Sequence, residues 1–378
     1  MSTPHLPATP KTTRWGTLPA ESDPPVLTVD PGEQLTIDTV SHEGILEDQG
    51  RDPVAFFGRH GVAPGDVLAD AIDIAANGDH DPLGPHVITG PVAVRGAQPG
   101  DWLAVRVDAL RPRAGYGVIS SRHGRGALPG RFPAGGAPVT SIFCRVDAGH
   151  GYLPLSGDAG RDGGPGQARF PLGPFLGIMG VTPAGTTRRG SVAPGEFGGN
   201  LDIALLRAGS VLYLPVEVPG AGFYVGDPHY AQGNGEIALT ALEAPLTATL
   251  TVGLVERAAA GACLGDVTGP VAATPEYLVP TGLDADLDVA LERCAANAVE
   301  LLRAAFGMEP ELGYAYLSAA ADFDISQVVD LVKGVHARIR RADFPQSRAP
   351  FPGGWSRISS GPDGATRTRG VPVFRLGD

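Results

Sequence analysis

Residues 226–236, with the sequence GDPHYAQGNGE, form the densest group of polar side chains in the chain. They lie between two apolar segments, 222–225 and 237–242. Asp227 and His229 are two positions apart, so an extended backbone would direct both side chains to one face. A carboxylate beside an imidazole suits a hard or borderline divalent cation. The spacing matches no standard zinc motif, however, and the same residues could form a solvated hairpin loop.

Other polar side chains are candidates for chemistry, and each also has an ordinary structural explanation. Asn200 and Asp202 follow two glycines and would share a face if extended, although an aspartate here could also cap a turn. His86 precedes an apolar segment, where a single histidine is more often a structural hydrogen-bonding residue. His123 and His42, each in a short polar segment, are candidates without an assigned role.

The sequence contains no nucleophile elbow, no phosphate-binding loop and no dinucleotide fingerprint. Ser210 is followed by a predicted strand rather than a helix, which makes it a poor nucleophile candidate. Cys144 has apolar neighbours and is predicted to be a buried structural thiol. The three cysteines have no metal-binding or redox spacing, which favours a reducing compartment.

The elements that must position these residues are mostly short strands separated by turns. Apolar and polar residues alternate over 34–40, and Gly and Pro together account for 90 of the 378 residues. Strands that follow one another without intervening helices are typical of antiparallel sheets. We therefore predict a mainly β fold, an antiparallel β-sandwich or barrel. Its predicted strands cover residues 26–29, 34–40, 90–94, 102–107, 211–216 and 246–252.

The pattern becomes helical after residue 282. Apolar residues at three- and four-residue spacing predict an amphipathic helix over 287–305. Shorter helices are predicted over 311–320 and 325–334, the second capped by the carboxylates of Asp322 and Asp324. With a strand over 335–339, these elements form a small C-terminal α+β unit.

The predicted organisation has four parts. Residues 1–23 are an N-terminal extension, and residues 24–282 are a β-rich catalytic region that includes a Gly-rich loop at 124–169. Residues 283–343 are the α+β unit, and residues 344–378 are a loosely ordered tail.

The formal net charge is −12, which argues against nucleic acid as a partner. No apolar stretch approaches the roughly 20 residues of a membrane span, and no signal peptide is visible. We expect a soluble, cytoplasmic protein without membrane partners.

Seven segments of the chain form a recognisable series: residues 25–32, 89–94, 96–101, 174–180, 200–202, 209–216 and 226–236. In this order they resemble the acetamidase/formamidase family, and the resemblance covers roughly residues 24–343. The resemblance implies a β-rich fold with a small α/β part, metal dependence, and hydrolysis of short amides to a carboxylate and ammonia. Asn234 stands where the family usually has Asp, and Val87-Ile88 where it tends to have Pro-Leu.

The leading hypothesis is a metal-dependent amidohydrolase with a small amide as substrate. Zinc or calcium would be held by His86, Asp202, Asp227 and His229. Glu236 would transfer the proton of the attacking water to the departing amine. The backbone amides of Gly233 and Gly235, or the side chain of Gln232, could stabilise the oxyanion. A homo-oligomer is expected, because amphipathic helices and sheet edges favour subunit contacts.

Two other functions stay open at this point. The chain could be a β-sandwich that binds a small polar ligand or a carbohydrate without chemistry. It could also be an amidase that uses a cysteine nucleophile. Release of ammonia distinguishes the first alternative from the leading hypothesis, and sensitivity to chelators distinguishes the second.

Overall fold

The computed structural model describes residues 3–155 and 166–345, together with the backbone of 359–360 and 366–367. The strands are β1 (His5–Leu6), β2 (Thr13–Trp15), β3 (Leu27–Val29), β4 (Glu33–Asp38), β5 (Val87–Val94), β6 (Trp102–Pro112), β7 (Tyr116–Arg122), β8 (Val139–Val146), β9 (His150–Pro154), β10 (Gln167–Pro171), β11 (Phe175–Gly180), β12 (Gly198–Asn200), β13 (Val211–Pro215), β14 (Phe223–Ala231), β15 (Leu242–Glu243), β16 (Leu246–Val255), β17 (Val271–Ala273), β18 (Tyr277–Asp284), β19 (Asp322–Gln327), β20 (Lys333–Arg340), β21 (Ser359–Ser360) and β22 (Thr366–Arg367). The helices are α1 (Pro53–Gly58), α2 (Ala69–Asn77), α3 (Arg257–Cys263), α4 (Leu287–Phe306) and α5 (Pro310–Ala320).

Two large sheets form the body of the molecule. The first sheet has nine strands in the order β1-β4-β16-β6-β13-β17-β18-β20-β19. The second has eleven: β10-β9-β8-β7-β15-β14-β11-β12 form its main path, and β5 joins β14 to β2 and β3. The pairs β1–β4 and β3–β5 are parallel, whereas the long pairs, such as β6–β16, are antiparallel.

The main core lies between these two sheets because their strands alternate side chains between two faces. Leu103 and Val105 of β6 belong to the same buried cluster as Ile178 of β11. Ala104 faces the other way and packs in a second cluster with Leu301 of α4. The first sheet is therefore covered by the second sheet on one face and by helices on the other. The predicted mainly β fold is confirmed as a sandwich.

The C-terminal helices agree with the predicted pattern in two of three cases. α4 begins after Asp286, whose side chain accepts hydrogen bonds from the first backbone N–H groups, and it ends at Gly307 in the left-handed conformation. α5 begins at Pro310. Among the helices of the described residues, none combines the length and apolar composition needed to cross a membrane.

The third predicted helix, over 325–334, is wrong. Residues 322–340 instead form the antiparallel hairpin β19–β20, in which Ile325 pairs with Val335. β-branched side chains favour this extended pairing over a helix. Asp324 does not cap a helix, because its carboxylate accepts from Arg338 Nε across the hairpin at 2.6 Å.

The Gly-rich segment 124–169 is predicted as one long loop, but its described residues, 124–155 and 166–169, include strands. β8 and β9 lie within it and β10 begins in it, and these three strands extend the second sheet beyond β7. Ser141 and Phe143 of β8 pair with Ser120 and Val118 of β7, so the apolar run inside the segment is a strand.

The predicted division into four parts stays a prediction. The structure describes strands in the N-terminal part of the chain and little of the C-terminal part. Within the predicted N-terminal extension, His5 pairs with Thr36 and Thr13 pairs with Thr89, so both sheets include strands from it. The predicted tail lies mostly outside the described residues.

Candidate functional site

The predicted site residues gather where strands of the second sheet meet the loops that follow or precede them. Asp227 and His229 lie on β14, and Asp202 follows β12 directly. His86 immediately precedes β5, which pairs with β14. All four side chains are buried, between 0% and 6% exposed. The structure therefore brings together residues that are far apart in the sequence.

Asp227 occupies the centre of the group. Its Oδ2 lies 3.0 Å from His229 Nε2, and its Oδ1 lies 3.7 Å from His86 Nε2. The same Oδ1 is 3.6 Å from Nδ1 of His42, which the sequence analysis names as a candidate without a role. One carboxylate thus faces three imidazoles.

His229 connects Asp227 to two further carboxylates. Glu243 Oε1 lies 3.0 Å from His229 Nε2, and Asp202 Oδ1 lies 3.8 Å from His229 Nδ1. Glu243 sits on β15 directly opposite His229 on β14. It was missed because it stands in an apolar stretch without a neighbouring polar motif. Its position opposite His229 becomes visible only when the two strands are paired.

Glu236 and Asp330 complete a group of buried carboxylates. Glu236 Oε1 lies 4.0 Å from His229 Nε2, and the side chains of Glu236 and Asp330 are both close enough to Asp202 to affect its ionisation. Asp330 comes from the connection between β19 and β20 and was not a predicted site residue. The sequence predicts a helix over 325–334, and that prediction does not place Asp330 near the site. The hairpin that forms instead brings Asp330 to the cluster.

The side-chain amide of Gln232 forms hydrogen bonds with neighbouring residues of the chain. Its Oε1 is 3.0 Å from His229 Nδ1, and its Nε2 donates to the backbone oxygens of Asp202 at 2.9 Å and Ser326 at 3.2 Å. The Gly235 N–H likewise donates to Ser326 O at 2.9 Å. Neither group is therefore free to bind an oxyanion in this arrangement. Gly233 is exposed.

The backbone around the cluster is strained. Asp202, Asp227 and Glu236 have φ values of 50°, 52° and 46°, which non-glycine residues rarely adopt. Such conformations cost on the order of 1–3 kcal/mol each and concentrate at functional sites. Three acidic residues of one cluster share this strain, which supports a function for the cluster.

Gly177 of β11 has no side chain, and the site residues occupy the space that a side chain at this position would fill. It lies opposite Asp227, between the register pairs Leu176–Pro228 and Ile178–Gly226. A Cβ atom at Gly177 would lie 2.4 Å from Asp202 Oδ1, 2.6 Å from Asp227 Oδ2 and 2.8 Å from His229 Cε1. Glycine is thus required here by close approach.

Burial and crowding change the pKa values of the cluster. Burial raises the pKa of Asp202 to about 6, with His229 opposing and Asp227 adding to the shift. Burial and then Asp227 raise the pKa of Glu243 to about 7. Although burial opposes it, Glu243 and Asp227 raise the pKa of His229 well above its usual value. Burial lowers the pKa of His86 to about 4, against the attraction of Asp227.

Burial and neighbouring charges also change the pKa values of Glu236, Asp330 and Asp227. Burial, followed by the charge of Asp202, raises the pKa of both Glu236 and Asp330 well above the usual values. Asp227 is the exception, because His229 and His86 hold its pKa below the usual range despite burial. The cluster contains more carboxylates than imidazoles, so protons must neutralise part of its charge when no cation does.

Several buried polar atoms of the cluster have no hydrogen-bond partner. They are His42 Nδ1, Asp202 Oδ1, Asp202 Oδ2, Asp227 Oδ1, His229 Nε2, Glu243 Oε2 and Asp330 Oδ2. Unpaired buried polar atoms are costly unless an ion or water satisfies them. Three sets of residues place one ligand atom each within 4.8 Å of one another, so each set could hold a metal ion. The sets are His42-His86-Asp227, Asp202-His229-Glu236 and Asp227-His229-Glu243.

A further buried carboxylate, Glu43, lies on the other side of His42. Its Oε1 is 3.4 Å from His42 Nε2 and accepts from Arg122 Nη2 at 2.5 Å. Its Oε2 accepts from Ser120 Oγ at 2.7 Å and from Gln49 Nε2. Burial opposes ionisation, but Arg122 and then His42 lower the pKa of Glu43 to about 2.

The other sequence candidates lie outside this cluster. His123 is partly exposed and is 3.1 Å from Asp48 Oδ2. Cys144 is free and buried in the main core, where burial raises the pKa of its thiol to about 11. Ser210 Oγ donates to the backbone oxygen of Arg207 at 2.7 Å, a local hydrogen bond that stabilises the turn before β13. None of these three has the surroundings of an activated nucleophile.

Comparisons with known proteins point to one family. The sequence profile of the Acetamidase/Formamidase family matches residues 184–339. The predicted resemblance to this family is confirmed. The part of the chain that matches the acetamidase/formamidase profile contains Asp202, Asp227, His229 and Glu236, whereas His86 lies upstream of it.

Individual relatives agree with the acetamidase/formamidase profile. A formamidase from Methylophilus methylotrophus is 27% identical over 302 residues, covering 65% of this chain and 74% of that protein. A provisionally named formamidase from Schizosaccharomyces pombe is 31% identical over 197 residues, covering 40% of this chain. The chain spans about half of that relative's length, 47%.

A solved structure shows the same fold. The acetamidase from Bacillus halodurans superposes with a TM-score of 0.70 at 23% identity, covering 91% of this chain and 99% of that one. The two-sheet architecture is therefore one already known among proteins named acetamidases.

Proposed function

We propose that this chain is an amidohydrolase that converts short aliphatic amides and water into a carboxylate and ammonia. One observation carries the proposal: imidazoles and carboxylates from distant segments converge on Asp227 in a buried cluster with unpaired ligand atoms. Relatives named formamidase and acetamidase support the same reaction class.

The proposal includes a divalent cation, zinc or calcium, at the cluster. His86, Asp202, Asp227 and His229 would hold one or two such ions. His42 and Glu243 are added here as ligands, because they belong to the same sets of converging atoms. A bound divalent cation supplies Lewis acidity, which polarises a carbonyl and acidifies water.

The residues of the chain have distinct roles in this proposal. Glu236 accepts the proton of the attacking water at its carboxylate and returns it to the departing amine. Burial and the charge of Asp202 raise its pKa, and a raised pKa increases the basicity of the carboxylate. Gln232 orients His229 instead of binding the oxyanion, because its amide is fully hydrogen-bonded. The backbone N–H of Gly233 stays the proposed oxyanion donor, and Gly235 is withdrawn from that role.

A cytoplasmic location and a homo-oligomeric state are also part of the proposal. Among the described residues, all three cysteines are buried and none of them forms a disulfide, which supports a reducing compartment. Exposed apolar side chains such as Leu312 and Tyr314 on α5 support subunit contacts.

Purified protein prepared without added metal is expected to contain a divalent cation and to release ammonia from formamide or acetamide. A strong chelator is expected to abolish ammonia release, and the removed metal is expected to restore it. Metal content is measured by mass spectrometry and ammonia by a coupled assay. A cysteine amidase would instead survive chelation and lose activity on thiol alkylation, and a binding protein would release no ammonia.

Zinc affinity is expected to rise as the pH is raised from about 5 to about 8. Asp202 and Glu243 have pKa values raised to about 6 and about 7, so their protons compete with a cation below those values. The pKa of His229, raised well above its usual value, acts in the same direction. Calorimetry in buffers of different ionisation enthalpy should show protons released on zinc binding. An affinity that is constant across this range would contradict the assignment of these ligands.

A further inference from the structure

His42 is held between two carboxylates that face its two ring nitrogens. Glu43 Oε1 is 3.4 Å from Nε2, and Asp227 Oδ1 is 3.6 Å from Nδ1. The ring is buried, and Nδ1 has no hydrogen-bond partner. Nδ1 is thus the ring nitrogen that faces Asp227, which forms one converging ligand set with His42 and His86, whereas Nε2 faces Glu43. The orientation of the ring therefore decides whether His42 can act as a ligand.

Glu43 is fixed by three donors that do not belong to the cluster. Arg122 Nη2 binds its Oε1, whereas Ser120 Oγ and Gln49 Nε2 bind its Oε2. Ser120 and Arg122 lie on β7, so the carboxylate is anchored to the second sheet. Glu43 is absent from the three converging ligand sets of the described residues. Its contacts are those of a residue that holds another residue in place.

We propose that Glu43 is the positioning residue of His42: it accepts the Nε2 hydrogen and leaves Nδ1 unprotonated and directed at Asp227. This inference rests on the proposed cation site. Carboxylates that orient ligand histidines in this way fix the tautomer and increase ligand basicity. Arg122, Ser120 and Gln49 keep Glu43 in the position that this requires.

The first test is the zinc affinity of Glu43→Gln, measured by competition with a chromophoric chelator. The isosteric amide keeps the volume but removes the carboxylate, so we expect zinc binding to weaken about 10–100-fold. The comparison is restricted to protein with a wild-type circular dichroism spectrum. A folded Glu43→Gln variant with unchanged zinc affinity would overturn the proposal.

A matched pair of serine variants covers the case in which Glu43→Gln does not fold, since that change leaves Arg122 without its counter-charge. Ser120→Ala removes one hydrogen bond to Glu43. Ser141→Ala removes contacts to Gln49 and Ser120 but none to Glu43. We expect weaker zinc binding in Ser120→Ala and unchanged binding in Ser141→Ala. Equal affinities in the two variants would count against the proposal.

The second test reads the tautomer of His42 directly and does not depend on activity. Nitrogen-15 NMR of histidine-labelled protein, assigned with His42→Gln, is recorded at a pH where His42 is neutral. We expect the hydrogen on Nε2, and its loss from that position in Glu43→Gln. A hydrogen on Nδ1 in the wild-type protein would refute the assignment. If the wild-type protein neither binds zinc nor releases ammonia, the proposed function fails, and the tautomer still decides the role of Glu43.

Discussion

Asp227→Asn is expected to lower kcat/KM for acetamide about 10³-fold, equivalent to roughly 4 kcal/mol of transition-state stabilisation. Among the described residues, Asp227 is the one carboxylate that faces His42, His86 and His229 together. Replacing it by an amide of the same shape removes the negative charge at the centre of the cluster. We expect the metal content per chain to fall in parallel with activity.

The control for this variant is Asp101→Asn. Asp101 is also buried, but its carboxylate accepts from the backbone N–H groups of Gln98 and Arg257, in a turn without imidazoles. We expect Asp101→Asn to lower the melting temperature without changing the metal content. If Asp227→Asn retained both metal and turnover, Asp227 would be excluded from the mechanism.

Gly177→Ala is expected to lower amide hydrolysis by about 100-fold or more, because a displacement of about 1 Å in a catalytic group has effects of that size. The added Cβ would lie within 3 Å of atoms of Asp202, Asp227 and His229. These residues must move, and we expect weaker metal binding and a loss of about 1–3 kcal/mol in the free energy of unfolding.

Gly115→Ala provides the matched control, because a Cβ there would meet no atom within 4 Å and the residue has no positive φ. Metal content, melting temperature and kcat/KM are measured for both variants. We expect Gly115→Ala to behave as wild type. Wild-type turnover in Gly177→Ala would mean that the close packing against Asp202 and Asp227 is not needed for activity.

Much of the fold follows from local patterns in the sequence. Alternating residues in β4 and β6 and the helical spacing of α4 each determine one element with little outside influence. Residues 325–334 could not be predicted in this way. Their carboxylates resemble a helix cap, but pairing with β20 decides their conformation, and such pairing between strands leaves a weaker local signal.

The site could be predicted in part for the same reason. Asp227 and His229 stand in one polar motif, and His86 and Asp202 stand beside glycines that mark turns. Glu243 and Asp330 give no such signal, because β15 and the β19–β20 connection bring them to the cluster only in the folded chain. His42 was visible as a candidate, but its role depends on contacts to Glu43 and Asp227 that no spacing encodes.

The connection between β19 and β20 is fastened to the segment around Gly235. Gly235 N donates to Ser326 O, and Val328 N donates to Gly235 O. Asp330 follows directly, and His42 comes from the opposite end of the chain. During translation, the cluster cannot be complete until the ribosome has released the hairpin. A nascent chain would therefore lack the complete cluster through most of its synthesis, and two separately expressed fragments divided before α4 would have to associate to form it.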